Sequence, residues 1–157
     1  MPAPATVGAV ATEDAIRSIN ESFERIAVAA RRAGRSAAQQ FDADLQPVTW
    51  AVLREVLRAG RVQPHALAET MSMDRSAVSR HLKDLRERGL LQHERDEQDA
   101  RSTWVSLTPE AAARADAVVL ERRLGLRERL DAWDPDDLER FAQLLDRFAD
   151  PVWLRQA

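Results

Sequence analysis

The sequence predicts an α+β fold that is mostly helical, and three observations support this. Apolar residues recur at three- and four-residue steps along most of the 157 residues, as on one face of an amphipathic helix. The spacing changes to alternation only near residues 90–107, which predicts two short strands. Prolines and capping side chains mark the helix starts. No long linker interrupts the pattern, so residues 12–157 are expected to form one domain after a disordered segment, residues 1–11.

The first helix is predicted over residues 12–33, because Thr12 can cap it and Glu13 follows in its first turn. Its apolar residues form a narrow seam of the kind that packs against another helix. The seam includes Ile16, Ile19, Phe23 and Ile26. Gly34 is expected to end or weaken this helix, and residues 36–44 are expected to be either a polar connection or a frayed extension of the helix.

The middle of the chain predicts three further helices in close succession. Pro47 suits the first turn of the second helix, and Pro64 suits that of a short third one. Asp74 can cap a fourth helix, which Gly89 would end. Only residues 72–74 separate the third helix from the fourth, which is the spacing of a helix-turn-helix.

Two strands are predicted directly after the fourth helix. Residues 90–95 can form the first strand, residues 96–100 a polar turn, and residues 101–107 an alternating second strand. A strand, a turn and a strand in this position form a wing. Residues 45–108 are therefore predicted to be a winged helix-turn-helix.

Two helices are predicted to follow the wing, over residues 109–132 and 135–150. Thr108 and Pro109 begin the first, and Asp134 precedes the proline that begins the second. The last helix has an apolar face consisting of Leu138, Phe141, Leu145 and Phe148. Residues 12–44 and 109–157 are accordingly predicted to be dimerisation helices, with the apolar residues of the first and last helices at the interface.

The fourth helix has a distinct charge pattern, although the whole chain has a net charge of −3. Residues 75–88 contain five basic residues and two acidic ones. The face opposite its apolar side carries only hydrogen-bond donors and cations, namely Arg75, Ser76, Ser79, Arg80 and Lys83. A helix in the major groove of DNA needs such residues. A solvated helix face would look similar, but the preceding helix and the following wing favour DNA binding.

The two arginines that flank the wing turn allow two interpretations. Arg95 and Arg101 could approach the minor groove, where negative potential is concentrated. Alternatively, an ion pair between Asp99 and Arg101 could shape the turn. Asp96 and Glu97 would repel phosphate at the tip, which argues against deep insertion.

Two stretches of the sequence resemble the MarR family of bacterial transcription regulators. The first stretch contains Leu67 and Ala68, residues 73–80 (MDRSAVSR), Leu85 and residues 88–91 (RGLL). The second contains residues 99–101 (DAR) and residues 105–108 (VSLT). The resemblance implies a homodimer that binds a pseudo-palindromic operator in double-stranded DNA and usually represses transcription. It also implies release by a small aromatic or phenolic effector. The cysteine-based peroxide sensing of some members is excluded, because this chain has no cysteine.

No enzymatic activity, metal or other cofactor is expected. The three histidines, His65, His81 and His93, show no metal-ligand spacing, and no glycine-rich phosphate loop is present. Ser79 and His81 are two residues apart on a helix, so they point in different directions and cannot act as nucleophile and base.

The sequence also indicates where the protein is located and allows a second kind of partner. No signal peptide and no window of about 20 apolar residues occurs, which predicts a cytoplasmic protein without a membrane partner. The alternative to an operator-binding regulator is a winged helix that binds another protein. Such a surface would normally carry exposed apolar or aromatic residues on the fourth helix.

Overall fold

The computed structural model describes the backbone of residues 6–95 and 103–149, and the side chains of residues 12–94 and 103–149. These residues form α1 (Thr6–Phe41), α2 (Pro47–Ala59), α3 (Pro64–Thr70), α4 (Arg75–Glu87), β1 (Leu91–Arg95), β2 (Thr103–Leu107), α5 (Pro109–Leu130) and α6 (Pro135–Ala149). The predicted fold class, α+β and mostly helical, is therefore confirmed. None of the described helices is long and apolar enough to cross a membrane.

The chain divides into two compact units, Met1–Asp116 and Ala117–Ala157. The first contains α1 to α4, both strands and the start of α5, and the second contains the rest of α5 and α6. A single domain over residues 12–157 stays a prediction.

The first helix is longer than predicted at both ends. Residues 6–11, which were expected to be disordered, are helical, and the helix continues beyond Gly34 to Phe41. Ala37, Ala38 and Phe41 are buried at its C-terminal end, and the Phe41 ring lies 5.3 Å from the Trp50 ring. Packing on α2 thus outweighs the cost of one glycine in a helix, which is only about 1 kcal/mol.

The core of the first unit lies between α2, α3 and α4. Trp50 and Leu53 of α2 and Leu67 of α3 are almost fully buried. The buried residues of α4 are Val78, Leu82 and Leu85, as its periodicity predicted. Gly89 follows α4 with a φ of +69°, a left-handed conformation that favours glycine, so the predicted helix end is confirmed.

The wing strands pair antiparallel, with Leu91 opposite Leu107 and Arg95 opposite Thr103. The first strand begins one residue later than predicted, and residues 101 and 102 of the predicted second strand lie outside the described residues. Val62, in the connection between α2 and α3, also pairs with Val105 through two backbone hydrogen bonds of 2.9 and 3.0 Å. The sequence did not reveal this pairing, which joins the base of the wing to the segment that precedes α3.

In the second unit, α6 begins where the sequence predicted. The Asp134 carboxylate accepts a hydrogen bond of 2.9 Å from the backbone N–H of Asp136. The Trp133 ring lies 5.5 Å from the Phe141 ring. No residue of α6 is buried, although the helix has a continuous apolar face. The preceding helix, α5, ends at Leu130, two residues before the predicted end.

Candidate nucleic-acid interface

The turn between α3 and α4 sets the direction in which α4 leaves the core. Ser72 has a φ of 50°, and the backbone N–H of Met73 donates to the carbonyl of Ala68 at 2.9 Å. Asp74 occupies the N-cap position of α4 with an extended backbone, but its side chain makes no capping hydrogen bond. The helix, tight turn and helix of residues 64–87 have the arrangement of a helix-turn-helix.

The residues predicted to contact DNA on α4 all lie on its solvent-exposed side. At 100° per residue they occupy an arc of about 140°, opposite the buried Val78, Leu82 and Leu85. The exposed cations and hydroxyl residues, here called the cationic face, are Arg75, Ser76, Ser79, Arg80, Lys83 and Arg86. Glu87 is also exposed within this arc, at the C-terminal end of α4, so the arc is not free of acidic residues, contrary to the sequence prediction. The cationic face therefore presents hydroxyl groups near the N-terminus of the helix and long cations along its length.

Most cations of this face are available to an anionic ligand. Lys83 lies 3.7 Å from the Glu87 carboxylate in a pair that is more than 60% exposed on both sides, so the pair is weak. Within the described residues, Arg75, Arg80 and Arg86 form no ion pair. No exposed large apolar residue lies on α4.

The predicted wing contacts lie mostly beyond what the structure describes. Arg95 ends β1, opposite Thr103, and only its backbone is described. Asp99 and Arg101 lie outside the described residues. The minor-groove contact and the ion pair that would shape the turn both stay predictions.

The base of the wing contains a contact that sequence reasoning missed. The guanidinium carbon of Arg61 lies 4.7 Å from the centre of the Trp104 ring, and its Nε lies 3.3 Å from the Glu94 carboxylate. Arg61 belongs to the connection between α2 and α3, 43 residues before Trp104 in the chain. Successive side chains of a strand point to opposite faces, so Trp104 faces away from Val105, but no local pattern identifies Arg61 as its neighbour.

A second missed contact joins the C-terminal end of α4 to the connection between α1 and α2. Arg88 donates from Nε to Asp84 at 2.7 Å and from Nη1 to Asp42 at 3.0 Å. Its Nη2 also donates to the carbonyl of Asp44 at 3.4 Å. The backbone N–H of Asp44 and then Arg88 lower the pKa of Asp42, while Asp84 and then Asp42 raise the pKa of Arg88.

Thr49 extends this polar contact along the inner flank of α4. Its hydroxyl is 3.0 Å from Nδ1 of His81 and donates to Asp84 over a longer distance of 3.5 Å. Thr49 is 1% exposed and is the one buried polar residue among those described. His81 is thus engaged on the core side and does not belong to the cationic face.

The residues predicted to form a dimer interface remain exposed within one chain. On α1, Ile16, Ile19 and Ile26 are at least half exposed, and Phe23 is 38% exposed. On α6, Leu138 is half-buried, while Phe141, Leu145 and Phe148 are each more than 40% exposed. Leu144 adds a further exposed apolar residue to the α6 face.

Several solved structures share this fold over most of their length. A MarR-family protein from Bacillus stearothermophilus is 18% identical, with a TM-score of 0.75 over 87% of this chain and 94% of its own. FabT from Streptococcus pneumoniae, solved in complex with DNA, is 16% identical, with a TM-score of 0.77 over 85% and 94%. A mutant of Escherichia coli MarR complexed with operator DNA is 21% identical, with a TM-score of 0.61 over 84% and 96%.

The sequence itself matches the MarR family over residues 43–102, which include α2, the helix-turn-helix and the first wing strand. No curated protein matches the chain significantly. The solved structures establish the fold at these identities, and the family match covers the part of the chain that carries the cationic face. Residues 43–102 are thus similar to the MarR family of transcription regulators, and solved MarR-family proteins share the fold of this chain over most of their length.

Proposed function

We propose that this protein is a sequence-specific DNA-binding transcription regulator that inserts α4 into the major groove. The observation that carries the proposal is the cationic face, on which Arg75 and Arg80 are exposed and form no ion pair within the described residues. Ser76, Ser79 and Arg80 are assigned to base edges or nearby phosphates. Arg75 and Lys83 are assigned to phosphates, which position the protein on the duplex without reading sequence.

The alternative function, a winged helix that binds another protein, is less well supported. Protein interfaces are centred on apolar and aromatic residues and are depleted of charge at their core. Among the described residues, the exposed large apolar side chains are Trp133 and several residues of α1, α2, α5 and α6, and none lies on α4. The cationic face therefore fits a polyanion better than a protein surface.

The exposed apolar faces of α1 and α6 support a homodimer. Full burial of a leucine or phenylalanine side chain contributes roughly 1.5–3 kcal/mol, so a second copy that covers these faces would stabilise the assembly strongly. Two recognition helices related by a two-fold axis would then enter successive major grooves about 34 Å apart. The operator is accordingly proposed to be pseudo-palindromic.

Repression is the proposed direction of regulation, with release by a small aromatic or phenolic effector and a cytoplasmic location. Repression and effector release follow from the resemblance to the family, whereas the location follows from the absence of a signal peptide and of a long apolar window in the sequence. Trp50 is 2% exposed and packs against Phe41, so its ring belongs to the core and is not a surface on which an effector could stack.

The direct test is selection of bound duplexes from a random pool, followed by affinity measurements with Arg80→Ala. We expect the variant to bind the selected duplex roughly 10- to 100-fold more weakly, because a bidentate arginine–base contact is worth about 1–3 kcal/mol. Arg54→Ala, an exposed arginine of α2, is the matched control and should bind as the wild type does. The binding should weaken steeply with salt.

Two results would contradict the proposal. The first is a wild-type protein that enriches no sequence from the pool. The second is an Arg80→Ala variant that binds the selected duplex as tightly as the wild type at every salt concentration.

A further inference from the structure

We infer that Arg88 is a positioning residue for DNA reading, because it ties the recognition helix α4 to the junction between α1 and α2. Its guanidinium joins Asp84 of α4 to Asp42, the first residue after α1, at 2.7 and 3.0 Å. The inference rests on the proposed DNA-binding function and adds a residue that lies away from the cationic face.

The positions of these side chains on α4 exclude a direct role in the major groove. His81, Asp84 and Arg88 recur at three- and four-residue steps and form one strip along the helix. At 100° per residue, this strip is centred about 140° from the middle of the cationic face. It lies on the flank of α4, beside the buried apolar side. A groove that receives the cationic face would leave the strip facing the protein.

All partners of this strip come from one short stretch of chain. Asp42 and Asp44 belong to the α1–α2 connection, and Thr49 belongs to the first turn of α2. Arg88 and its two carboxylate partners are each only 27–35% exposed, so solvent and salt screen these pairs less than a pair on the open surface. The lowered pKa of Asp42 agrees with a carboxylate held in its charged form.

The polar contacts of Arg88 fix the orientation of α4, which its apolar contacts alone do not. Burial of Val78, Leu82 and Leu85 holds the helix against the core, but the hydrophobic effect has no preferred direction. A planar guanidinium with two carboxylates and a carbonyl fixes both distance and orientation. Arg88 therefore restricts rotation of α4 about its axis. A recognition contact tolerates a displacement of only about 0.5 Å, so a small rotation would impair base reading.

The contact also connects DNA reading to the proposed dimer helix. Because α1 ends at Phe41, a displacement of α1 moves Asp42 and, through Arg88, the end of α4. Contacts to phosphate are long, flexible and tolerant, whereas contacts to base edges need exact placement. Loss of Arg88 should consequently reduce discrimination between sequences more than it reduces general affinity for DNA.

The test measures discrimination with the full-length protein. The dissociation constants for a selected duplex and for a scrambled duplex of the same length are measured by fluorescence anisotropy across a salt series. The variants are Arg88→Met, Asp42→Asn and the double variant. Arg58→Met is the matched control, because Arg58 is paired with Glu55 within α2 and forms no hydrogen bond or ion pair with a described residue of α4. Thermal unfolding by circular dichroism accompanies each measurement.

We expect Arg88→Met to reduce the ratio of specific to non-specific affinity by roughly tenfold, with the salt dependence of binding unchanged. The double variant should resemble Arg88→Met alone, because the two residues act through one contact. The control should keep the wild-type ratio. Arg88→Met could be tested only if it is folded at the assay temperature. If it is unfolded, Asp42→Asn, which preserves side-chain shape, replaces it, and a reduced ratio of specific to non-specific affinity is again expected.

Two outcomes would overturn the inference while the proposed function stands. One is an unchanged ratio in Arg88→Met and Asp42→Asn. The other is a parallel loss of both affinities with a smaller salt dependence, which would make Arg88 a phosphate contact. A wild-type protein that does not prefer the selected duplex contradicts the proposed function itself and is recognised before any variant is measured.

Discussion

The helices α4 and α6 are both strongly amphipathic, but the apolar face of α4 is buried and that of α6 is exposed. In α4, Val78, Leu82 and Leu85 are buried against neighbouring helices of the same chain, and the polar face is exposed. In α6, no residue is buried, and Phe141, Leu144, Leu145 and Phe148 are all more than 40% exposed. One helix has its apolar partner within the chain, whereas the other presents its apolar face to solvent.

The difference shows that amphipathicity alone does not indicate what a helix contacts. The exposed side of α4 is polar and cationic, which suits a highly charged ligand such as duplex DNA. The exposed side of α6 is apolar, and contiguous exposed apolar surface of this kind is typical of protein interfaces. The comparison therefore supports different proposed partners for the two exposed faces, namely DNA for α4 and a second copy of the chain for α6.

The largest expected effect comes from placing a charge on the apolar face of α6. Phe141→Asp should yield a monomer at micromolar concentration, because a buried unpaired carboxylate is costly at an interface. Its affinity for the selected duplex should fall by at least about 100-fold, since simultaneous binding of two half-sites is lost. Sedimentation velocity and anisotropy measure the two effects.

The matched control for this variant is Gln143→Asp, which introduces a charge on the other side of α6. It should remain dimeric and bind the duplex normally. A Phe141→Asp protein that sediments as a dimer would contradict the proposal that the apolar face of α6 binds a second copy of the chain.

The second prediction compares leucine truncation in the two helices. Leu85→Ala should lower the free energy of unfolding by about 2–5 kcal/mol, because it leaves a cavity in a fully buried site. Leu145→Ala should lower the thermal midpoint by an amount that depends on protein concentration, because its burial requires a second chain. Calorimetry over a hundredfold range of concentration separates these behaviours. A concentration-independent midpoint in the wild type would count against the proposed dimer.

The smallest expected effect concerns the ion pair between Arg88, at the end of α4, and Asp42. Asp42→Asn should reduce the free energy of unfolding by about 0.2–1 kcal/mol at pH 7, as expected for a partly exposed ion pair. The pKa of Asp42 is lowered in the folded protein, first by the Asp44 N–H and then by Arg88. Its contribution is therefore complete above the ordinary aspartate pKa of about 3.9 and is lost as the pH falls through the lower folded value.

Urea denaturation of the wild type and Asp42→Asn at a series of pH values checks this sign. The difference in unfolding free energy between the two proteins should shrink steadily below pH 4. A difference that grows toward low pH would show that Asp42 is not held in its charged form.

Much of the fold was predictable because its signals are local. Proline and glycine marked the start of α2 and the end of α4, and the spacing of Val78, Leu82 and Leu85 identified the buried side of α4. The same periodicity placed the predicted DNA-contacting residues on the exposed side. Their contacts with DNA, and the wing contacts of Arg95 and Arg101, stay predictions.

The misses have a common physical cause, which is contact between residues far apart in the chain. The end of α1 was predicted too early, because the burial of Phe41 on Trp50 stabilises helix beyond Gly34. The spacing of Asp84 and Arg88 suggests an ion pair along α4, but it gives no sign of the third partner, Asp42, which lies 46 residues away. Arg61 and Trp104 likewise meet only when the wing folds back on the connection before α3.

By itself, the sequence determined which segments are helices and strands, which side of each is apolar, and where positive charge is concentrated. These properties follow from side-chain chemistry at fixed helix and strand periods, so they need no knowledge of the fold. Only the tertiary structure decided that the apolar side of α4 is covered within the chain while that of α6 is exposed. It also decided that Arg88 binds the junction behind α1, because such pairings depend on how distant segments pack and not on local spacing.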